Sequence, residues 1–277
     1  MTIGKAESNI KYMKTLKTQL SRFIVSAAVL FSTMVIFADN ATAQKQATFI
    51  KNVVIVHGAF ADGSGWRGVY DVLVAKGYHV SIVQNPLTSL EDDVAAANLV
   101  MAKQDGPVIL VGHSYGGIVI TQAGVHPKVE GLVYVAAFMP EVGESAIDLA
   151  KTMAPAPENG VGAPDENGYF FYSKEKFQIG FAGGLSEADS DFMYDSQGPI
   201  SLKAFSTPVS VAAWKTKPSW GIVSTEDKSI QPDIERNGYK RGKSVVTEIK
   251  ASHVVYITNP KEVAAVIIEA SKKALSK

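Results

Sequence analysis

The sequence at residues 108–120 is VILVGHSYGGIVI, in which an apolar, β-branched strand runs into Gly-x-Ser-x-Gly and continues as an apolar helix. Gly112 and Gly116 remove the side chains that would clash in so sharp a turn, and Ser114 is forced into a strained backbone conformation at its tip. This geometry holds a hydroxyl clear of the backbone at the end of a strand. We therefore predict that Ser114 is a nucleophile. The alternative is a glycine-rich turn with an incidental serine.

A serine hydroxyl is a poor nucleophile at neutral pH and needs a base. The chain offers five histidines, at positions 57, 79, 113, 126 and 253. If the partners follow the order serine, acid, histidine, the base must come late in the chain. His253 is the only histidine after position 126, and it lies in a predicted loop between a strand at 244–249 and the last helix. We predict that His253 is the base, with a surface-loop histidine as the alternative.

The acid that orients this histidine should follow the preceding strand, which we place at 220–224. Two adjacent carboxylates, Glu226 and Asp227, come directly after it. We prefer Asp227, because the spacing Ser224-x-x-Asp227 puts it one loop step beyond the strand tip, and we keep Glu226 as the alternative acid. Either carboxylate would hold the His253 imidazole in the right tautomer.

Backbone N–H groups are expected to stabilise the oxyanion. One is that of Tyr115, directly after the nucleophile, where helix-terminal amides face the site. The other is expected at Ala59, in the glycine-rich loop 57–66 after the first strand. A phosphate cradle is the rival interpretation of this loop. The loop lacks both Gly-x-Gly-x-x-Gly and a Gly-Lys-Ser/Thr ending, so the sequence does not favour nucleotide binding.

Strand-like and helix-like segments alternate along the chain. The apolar strands are expected at 52–57, 79–84, 108–112, 131–137, 220–224 and 244–249, and the helices at 66–76, 90–103, 115–124, 232–237 and 261–271. This alternation predicts an α/β fold with a mostly parallel sheet of about six strands and helices on both faces. Ligands then bind beyond the carboxyl ends of the strands, where Ser114, Asp227 and His253 all fall.

The alternation is interrupted after the fourth predicted strand, by a segment at about 140–213. It is too long for an ordinary connection, is rich in Gly and Pro at first, and is rich in aromatic residues later. We interpret this segment as a cap insertion folded over the active site, with aromatics facing an apolar pocket. The alternative for any single aromatic is that it packs the cap onto the sheet.

Three short motifs carry a resemblance to a known family: His-Gly-Ala-Phe at 57–60, Gly-His-Ser-Tyr-Gly-Gly at 112–117, and a late Ser-His at 252–253. The chain resembles small bacterial serine esterases of the α/β-hydrolase superfamily. The opening loop and Tyr-Val-Ala-Ala-Phe-Met-Pro at 134–140 make it most similar to esterases related to plant methylesterases and hydroxynitrile lyases. The resemblance spans about residues 50–275. It implies the α/β-hydrolase fold, a serine triad without a metal, and ester substrates.

The hydroxynitrile lyase branch of that group uses a lysine near the site. Lys228 is the nearest candidate in this sequence. This is thin support for cyanohydrin cleavage, and the segment 141–210 resembles nothing specific. The resemblance therefore leaves the identity of the substrate open.

The first 43 residues follow the pattern of a secretory signal peptide. A basic stretch is followed by an apolar run at 23–37 and by Ala-Thr-Ala at 41–43. We expect cleavage near Ala43, a hydrolase domain at 44–277, and export to the periplasm or beyond. An uncleaved amphipathic anchor is the alternative, and Met13 is a second candidate start. The apolar run is shorter than the roughly 20 residues that span a bilayer, so no stable membrane anchor is expected after cleavage.

The composition of the chain argues against several classes of function. The full chain has 27 basic and 27 acidic side chains, which balance. Without residues 1–43 it has 22 basic and 25 acidic side chains, a net charge of −3. No basic cluster marks a nucleic-acid surface. The absence of cysteine excludes disulfides, a thiol nucleophile and a cysteine-ligated metal, and no metal-ligand spacing of His, Asp and Glu occurs. We expect neither a metal nor a cofactor.

We therefore expect a serine hydrolase that cleaves carboxylic esters of small, fairly apolar molecules through a Ser114–His253–Asp227 triad and an acyl-enzyme. Lactone opening, acyl transfer or perhydrolysis at the same triad are alternatives. A non-catalytic ligand-binding protein on a hydrolase scaffold is another.

Overall fold

The computed structural model describes Met13 and residues 49–275. The chain separates into two units, Met1–Ala47 and Thr48–Lys277. The predicted signal peptide at 1–43 lies, apart from Met13, outside the described residues. Among the residues that are described, no helix combines the length and the apolar character that crossing a membrane requires.

The second unit contains a six-stranded sheet and a small two-stranded one. Along the chain the strands are β1 (Asn52–Val56), β2 (His79–Val83), β3 (Val108–Ser114), β4 (Val129–Ala137), β5 (Tyr169–Phe170), β6 (Ile200–Ser201), β7 (Ser219–Ser224) and β8 (Val245–Ile249). The large sheet has the order β2-β1-β3-β4-β7-β8, and all its neighbours pair in parallel. The predicted parallel sheet of six strands is confirmed.

Helices connect the strands of the large sheet and fill the long segment after β4. They are α1 (Arg67–Val74), α2 (Leu90–Ala102), α3 (Gly116–Ala123), α4 (Ala146–Ala150), α5 (Lys174–Gly180), α6 (Glu187–Asp195), α7 (Leu202–Ser206), α8 (Pro232–Arg241), α9 (Val255–Thr258) and α10 (Pro260–Lys273). Every residue of β1 and of β3 is buried. Because successive side chains of a strand point to opposite faces, both faces of the sheet are covered at its centre.

The turn that joins β3 to α3 has the predicted sharpness. Ser114 lies at its tip with φ 54°, in the left-handed region that few residues other than glycine occupy. A Cβ atom at position 112 would lie 2.5 Å from the carbonyl oxygen of Gly116, so the first glycine of the motif is required. The strand continues to Ser114, two residues beyond its predicted end at Gly112.

The position of β3 in the sheet decides where a ligand can bind. From β1 the chain moves outward to β2, then returns to place β3 on the opposite side of β1. The order of the strands therefore reverses between β1 and β3. A crevice forms beyond the carboxyl ends of strands at such a point, and Ser114 stands at the end of β3.

The segment between β4 and β7 consists of short elements rather than further strands of the large sheet. It contains α4 to α7 and the antiparallel pair β5–β6. Several of its aromatics pack together in the core, including Tyr172, Phe177 and Phe181. Others, such as Phe171 and Phe192, are exposed. That the segment acts as a cap over an active site stays a prediction.

Candidate active site

The loop after β1 packs closely against Ser114 in the turn after β3. A Cβ atom at position 58 would lie 2.7 Å from Cβ of Ser114 and 3.0 Å from the carbonyl oxygen of His113. Only glycine permits this approach. Gly58 thus brings the loop after β1 against Ser114. Ser114 Oγ makes no hydrogen bond with a described residue.

The structure brings His253 and Asp227 together. Nδ1 of His253 lies 2.6 Å from Oδ2 of Asp227, and both side chains are buried. The other oxygen of this carboxyl, Oδ1, accepts hydrogen bonds from the N–H groups of Ser229 (2.7 Å) and Ile230 (2.9 Å). Asp227 is therefore held as an acceptor, and its bond to His253 fixes the proton of the imidazole on Nδ1.

The other two candidates in this loop lie elsewhere. Glu226 is exposed and faces Lys250, with 3.6 Å between Oε1 and Nζ. Lys228, the candidate suggested by the lyase resemblance, is half-buried, its Nζ lies 3.9 Å from Oε1 of Glu158, and it does not line the cavity that contains Ser114. The geometry of the loop therefore places Asp227, and neither Glu226 nor Lys228, beside His253.

The ring of His253 is held by its neighbours. The ring of Phe181 lies edge-on to it at 4.9 Å between centroids, and the ring of His113 lies 4.6 Å away. Nε2 of His113 lies 3.0 Å from the carbonyl oxygen of His253. His113 lies inside the turn motif, directly before Ser114, and the direction of the backbone there points its side chain away from that serine. The structure shows that it supports the backbone of His253 instead.

His113 is neutral in this environment. Burial, and then the neighbouring His253, holds its pKa well below the usual value. Since the carbonyl of His253 can only accept, Nε2 of His113 carries the proton and donates. Burial also lowers the pKa of His57, whose Nδ1 lies 2.8 Å from the carbonyl oxygen of Gly58. The interior beside Ser114 therefore contains neutral imidazoles.

The two amides predicted to stabilise an oxyanion, those of Ala59 and Tyr115, lie in the loops after β1 and β3. Neither N–H donates to another group within the described part of the chain. The phenol of Tyr115 points away, into the core, and donates to Oδ2 of Asp93 at 2.8 Å. Burial raises the pKa of Asp93 to about 6. The contact with Asp93 holds the side chain of Tyr115, the residue whose N–H follows Ser114.

One cavity, of about 710 Å³, has Ser114, His253 and Ala59 in its wall. Most of its remaining lining is apolar and comes from the segment between β4 and β7. These residues include Ile147, Met153, Val161, Phe170, Tyr172 and Phe205. Lys151 is the one lysine in this lining, which contains no arginine. Within the described residues, no group of three or more His, Cys, Asp or Glu side chains could hold a metal ion.

Comparison with known proteins agrees with this architecture. Residues 53–266 match the model of the alpha/beta hydrolase family. The chain therefore belongs to the alpha/beta hydrolase family, as its motifs predicted, and is an enzyme of that hydrolase family.

The relatives of the chain include esterases. It is 35% identical over 118 residues to a carbendazim hydrolyzing esterase of Nocardioides sp., a match that covers 38% of this chain and about half (49%) of that esterase. It is 24% identical to methylesterase 8 of Arabidopsis thaliana, over 67% of this chain and 76% of the methylesterase. The crystal structure of a pyrethroid hydrolase from Sphingobium faniae superimposes with a TM-score of 0.67 at 22% identity, over 82% and 99% of the two chains. The predicted relation to esterases and methylesterases is confirmed.

Proposed function

We propose that this protein is a serine carboxylesterase that hydrolyses fairly apolar esters through Ser114, His253 and Asp227. The observation that carries the proposal is the wall of the apolar cavity, which contains both Ser114 and His253, with Asp227 bonded behind the histidine. Esterases among the relatives support ester hydrolysis as the reaction.

In the proposed reaction, Nε2 of His253 takes the proton of the Ser114 hydroxyl as Oγ attacks the ester carbonyl. The bond to Asp227 leaves Nε2 unprotonated and ready to accept, and it stabilises the imidazolium that forms. The amides of Ala59 and Tyr115 stabilise the oxyanion. His253 then donates its proton to the departing alcohol, and a water molecule, activated in the same way, releases the acid from the acyl-enzyme.

The cavity indicates the kind of ester. A volume of about 710 Å³ falls within the roughly 300–1,000 Å³ typical of pockets for drug-sized ligands. Its aromatic and aliphatic lining favours an apolar acyl or alcohol group, and the absence of carboxylates from the lining gives no partner for a cationic substrate. We infer that neutral esters with a bulky apolar group are better substrates than short acetates. The segment between β4 and β7 acts in this proposal as the cap that selects them.

Phosphonate labelling tests the nucleophile directly. The purified protein is treated with a fluorophosphonate, and peptide mass spectrometry locates the adduct. We expect a single adduct on Ser114, hydrolysis of p-nitrophenyl esters by the unlabelled protein, and loss of both in Ser114→Ala, which keeps the fold. Turnover retained by Ser114→Ala would refute the proposal. A folded protein without an adduct would instead favour a binding protein on a hydrolase scaffold.

We propose in addition that residues 1–43 direct export and are removed. Only the sequence pattern supports this step. Intact-mass analysis of the protein recovered from the periplasm and medium of an expressing bacterium tests it. A chain beginning near Gln44 is expected, whereas a full-length chain retained in the cytoplasm would contradict the proposal.

A further inference from the structure

Glu235 is a fully buried carboxyl group for which neither the fold nor the proposed reaction has an evident need. It lies in α8, and Oε2 accepts a hydrogen bond of 3.1 Å from the N–H of Ser224, the last residue of β7. It forms no ion pair with a described basic side chain. The adjacent Arg236 is engaged on the surface with Glu248 and Asp233, at 2.8 Å from each.

The same turn holds Asp227. The N–H of Asp227 donates to the carbonyl oxygen of Ser224 at 3.1 Å, so Glu235 and Asp227 are attached to one short loop. The other oxygen of Glu235, Oε1, is buried and has no hydrogen-bond partner among the described residues. Burial, followed by the charge of Asp227, raises the pKa of Glu235 well above its usual value. Two ionised carboxyls attached to one buried loop repel each other, so one of them retains its proton.

The hydrogen bonds decide which carboxyl carries that proton. Both oxygens of Asp227 accept, Oδ1 from two amides and Oδ2 from His253. Glu235 accepts only from Ser224, which leaves an oxygen that can carry a proton. Oδ2 of Asp227 can accept a second bond, since each carboxylate oxygen has two lone-pair sites.

We propose that Glu235 is a positioning residue that stays protonated at neutral pH and donates a hydrogen bond to Asp227. Asp227 then remains the single negative charge behind His253 and cannot turn away from it. This inference rests on the proposed triad for its effect on catalysis. The protonation of Glu235 itself does not depend on that function.

The buried phenols next to Glu235 do not titrate between pH 5 and 9. Tyr239 of the same helix and Tyr134 of β4 are buried, and burial raises the pKa of both phenols far above neutrality. Arg236 stays charged, because its ion pairs raise its pKa. Asp227, with His253 behind it, remains as the charged neighbour. A change in stability that Glu235→Gln removes can therefore be assigned to Glu235.

The first test measures protonation without activity. The free energy of unfolding of the wild type and of Glu235→Gln is determined by denaturant titration from pH 5 to 9. A raised pKa in the folded state means that stability is lost as pH rises from the unfolded value through the folded one. We expect the unfolding constant of the wild type to rise, relative to Glu235→Gln, by up to tenfold per pH unit within that window. A difference that is flat over this range would overturn the proposal.

Glu248→Gln is the matched control, since it removes an exposed carboxylate that pairs with the neighbour of Glu235. Its difference from the wild type should stay constant above pH 6, because the hydrogen bond and the charge of Arg236 hold the pKa of Glu248 below its usual value. A pH-dependent difference in this control as well would show that the effect is not specific to Glu235, and would overturn the assignment.

The second test separates positioning from simple packing. The amide of Glu235→Gln can accept from Ser224 and donate to Asp227, whereas Glu235→Leu can do neither. We expect kcat of Glu235→Gln to stay within about threefold of the wild type at pH 7 and that of folded Glu235→Leu to fall about tenfold or more, with KM little changed. Equal kcat in the two variants would overturn the positioning role. If the proposed triad itself is wrong, Ser114→Ala will still hydrolyse the ester, so that failure can be distinguished from failure of the role proposed for Glu235.

Discussion

Replacement of Asp227 by asparagine exchanges one oxygen of the carboxyl for an NH₂ group, and the structure dictates where that group must go. Oδ1 accepts from two backbone N–H groups, those of Ser229 and Ile230, so a donor at that position would face two donors. The amide oxygen of the variant therefore stays at Oδ1, and its NH₂ group points at Nδ1 of His253. To accept this bond, the imidazole must move its proton to Nε2.

An imidazole protonated on Nε2 cannot take the proton of Ser114. A comparable aspartate-to-asparagine change in a serine protease triad lowers kcat by about 10⁴-fold while the geometry stays intact. At about 1.4 kcal/mol per factor of ten, this corresponds to a transition state destabilised by about 5–6 kcal/mol. The fold should survive, because the two backbone hydrogen bonds to Oδ1 remain in the variant.

Steady-state hydrolysis of p-nitrophenyl butyrate by the wild type and by Asp227→Asn measures the effect, with circular dichroism to verify folding. The control is Glu226→Gln, which changes the neighbouring, exposed carboxylate and should retain kcat within about twofold. Activity of Asp227→Asn within tenfold of the wild type would refute the reasoning. So would a large loss in Glu226→Gln, which would return the alternative acid to consideration.

Two further substitutions test the surroundings of the site. Gly58→Ala would place a Cβ atom 2.7 Å from Cβ of Ser114, so we expect it to destabilise the protein by about 1–3 kcal/mol and to reduce esterase activity sharply, as measured by urea unfolding and ester hydrolysis. Asp93→Asn keeps an acceptor for the N–H of Leu87 and a partner for the phenol of Tyr115. Burial raises the pKa of Asp93 from 3.8 to about 6, so the wild type should lose about 2 kcal/mol of stability relative to this variant as pH rises from 4 to 7. An equal difference in unfolding free energy between the two proteins at both pH values would contradict this.

The large sheet was predictable chiefly from its four inner strands, β1, β3, β4 and β7, almost all of whose residues are buried. Such strands are continuous apolar runs that need no tertiary context to be recognised, and all six occur within two residues of their expected bounds. Helix α8 was predicted to end at Asn237 but continues to Arg241. Gly238 follows directly after the expected end of the helix. It lies against Met139, just beyond β4, and a Cβ atom at position 238 would be 3.0 Å from Cβ of Met139. That glycine serves close packing and does not end the helix.

The segment between β4 and β7 could be delimited but not resolved into elements. Its four helices have between five and nine residues, and its two strands have two residues each. So few turns leave no recognisable hydrophobic period, and pairing across 30 residues gives no local signal. Composition alone indicated that aromatics of this segment line an apolar pocket. Phe170 and Phe205 do line the cavity, whereas the equally aromatic Phe192 is exposed.

Glu235 shows why an interaction behind the site escapes the sequence. An acidic residue in the first turn of a helix that begins with proline is ordinary, since it complements the helix dipole and is usually solvated. Asp233, in the same turn, fits this pattern and pairs with Arg236 on the surface. Glu235 differs because it lies two positions after Asp233, on the side of the helix that faces the sheet. Its side chain there meets the end of β7. The orientation of a helix on a sheet is a tertiary property. A carboxyl group therefore serves as a surface charge at position 233 and as a buried proton donor at position 235.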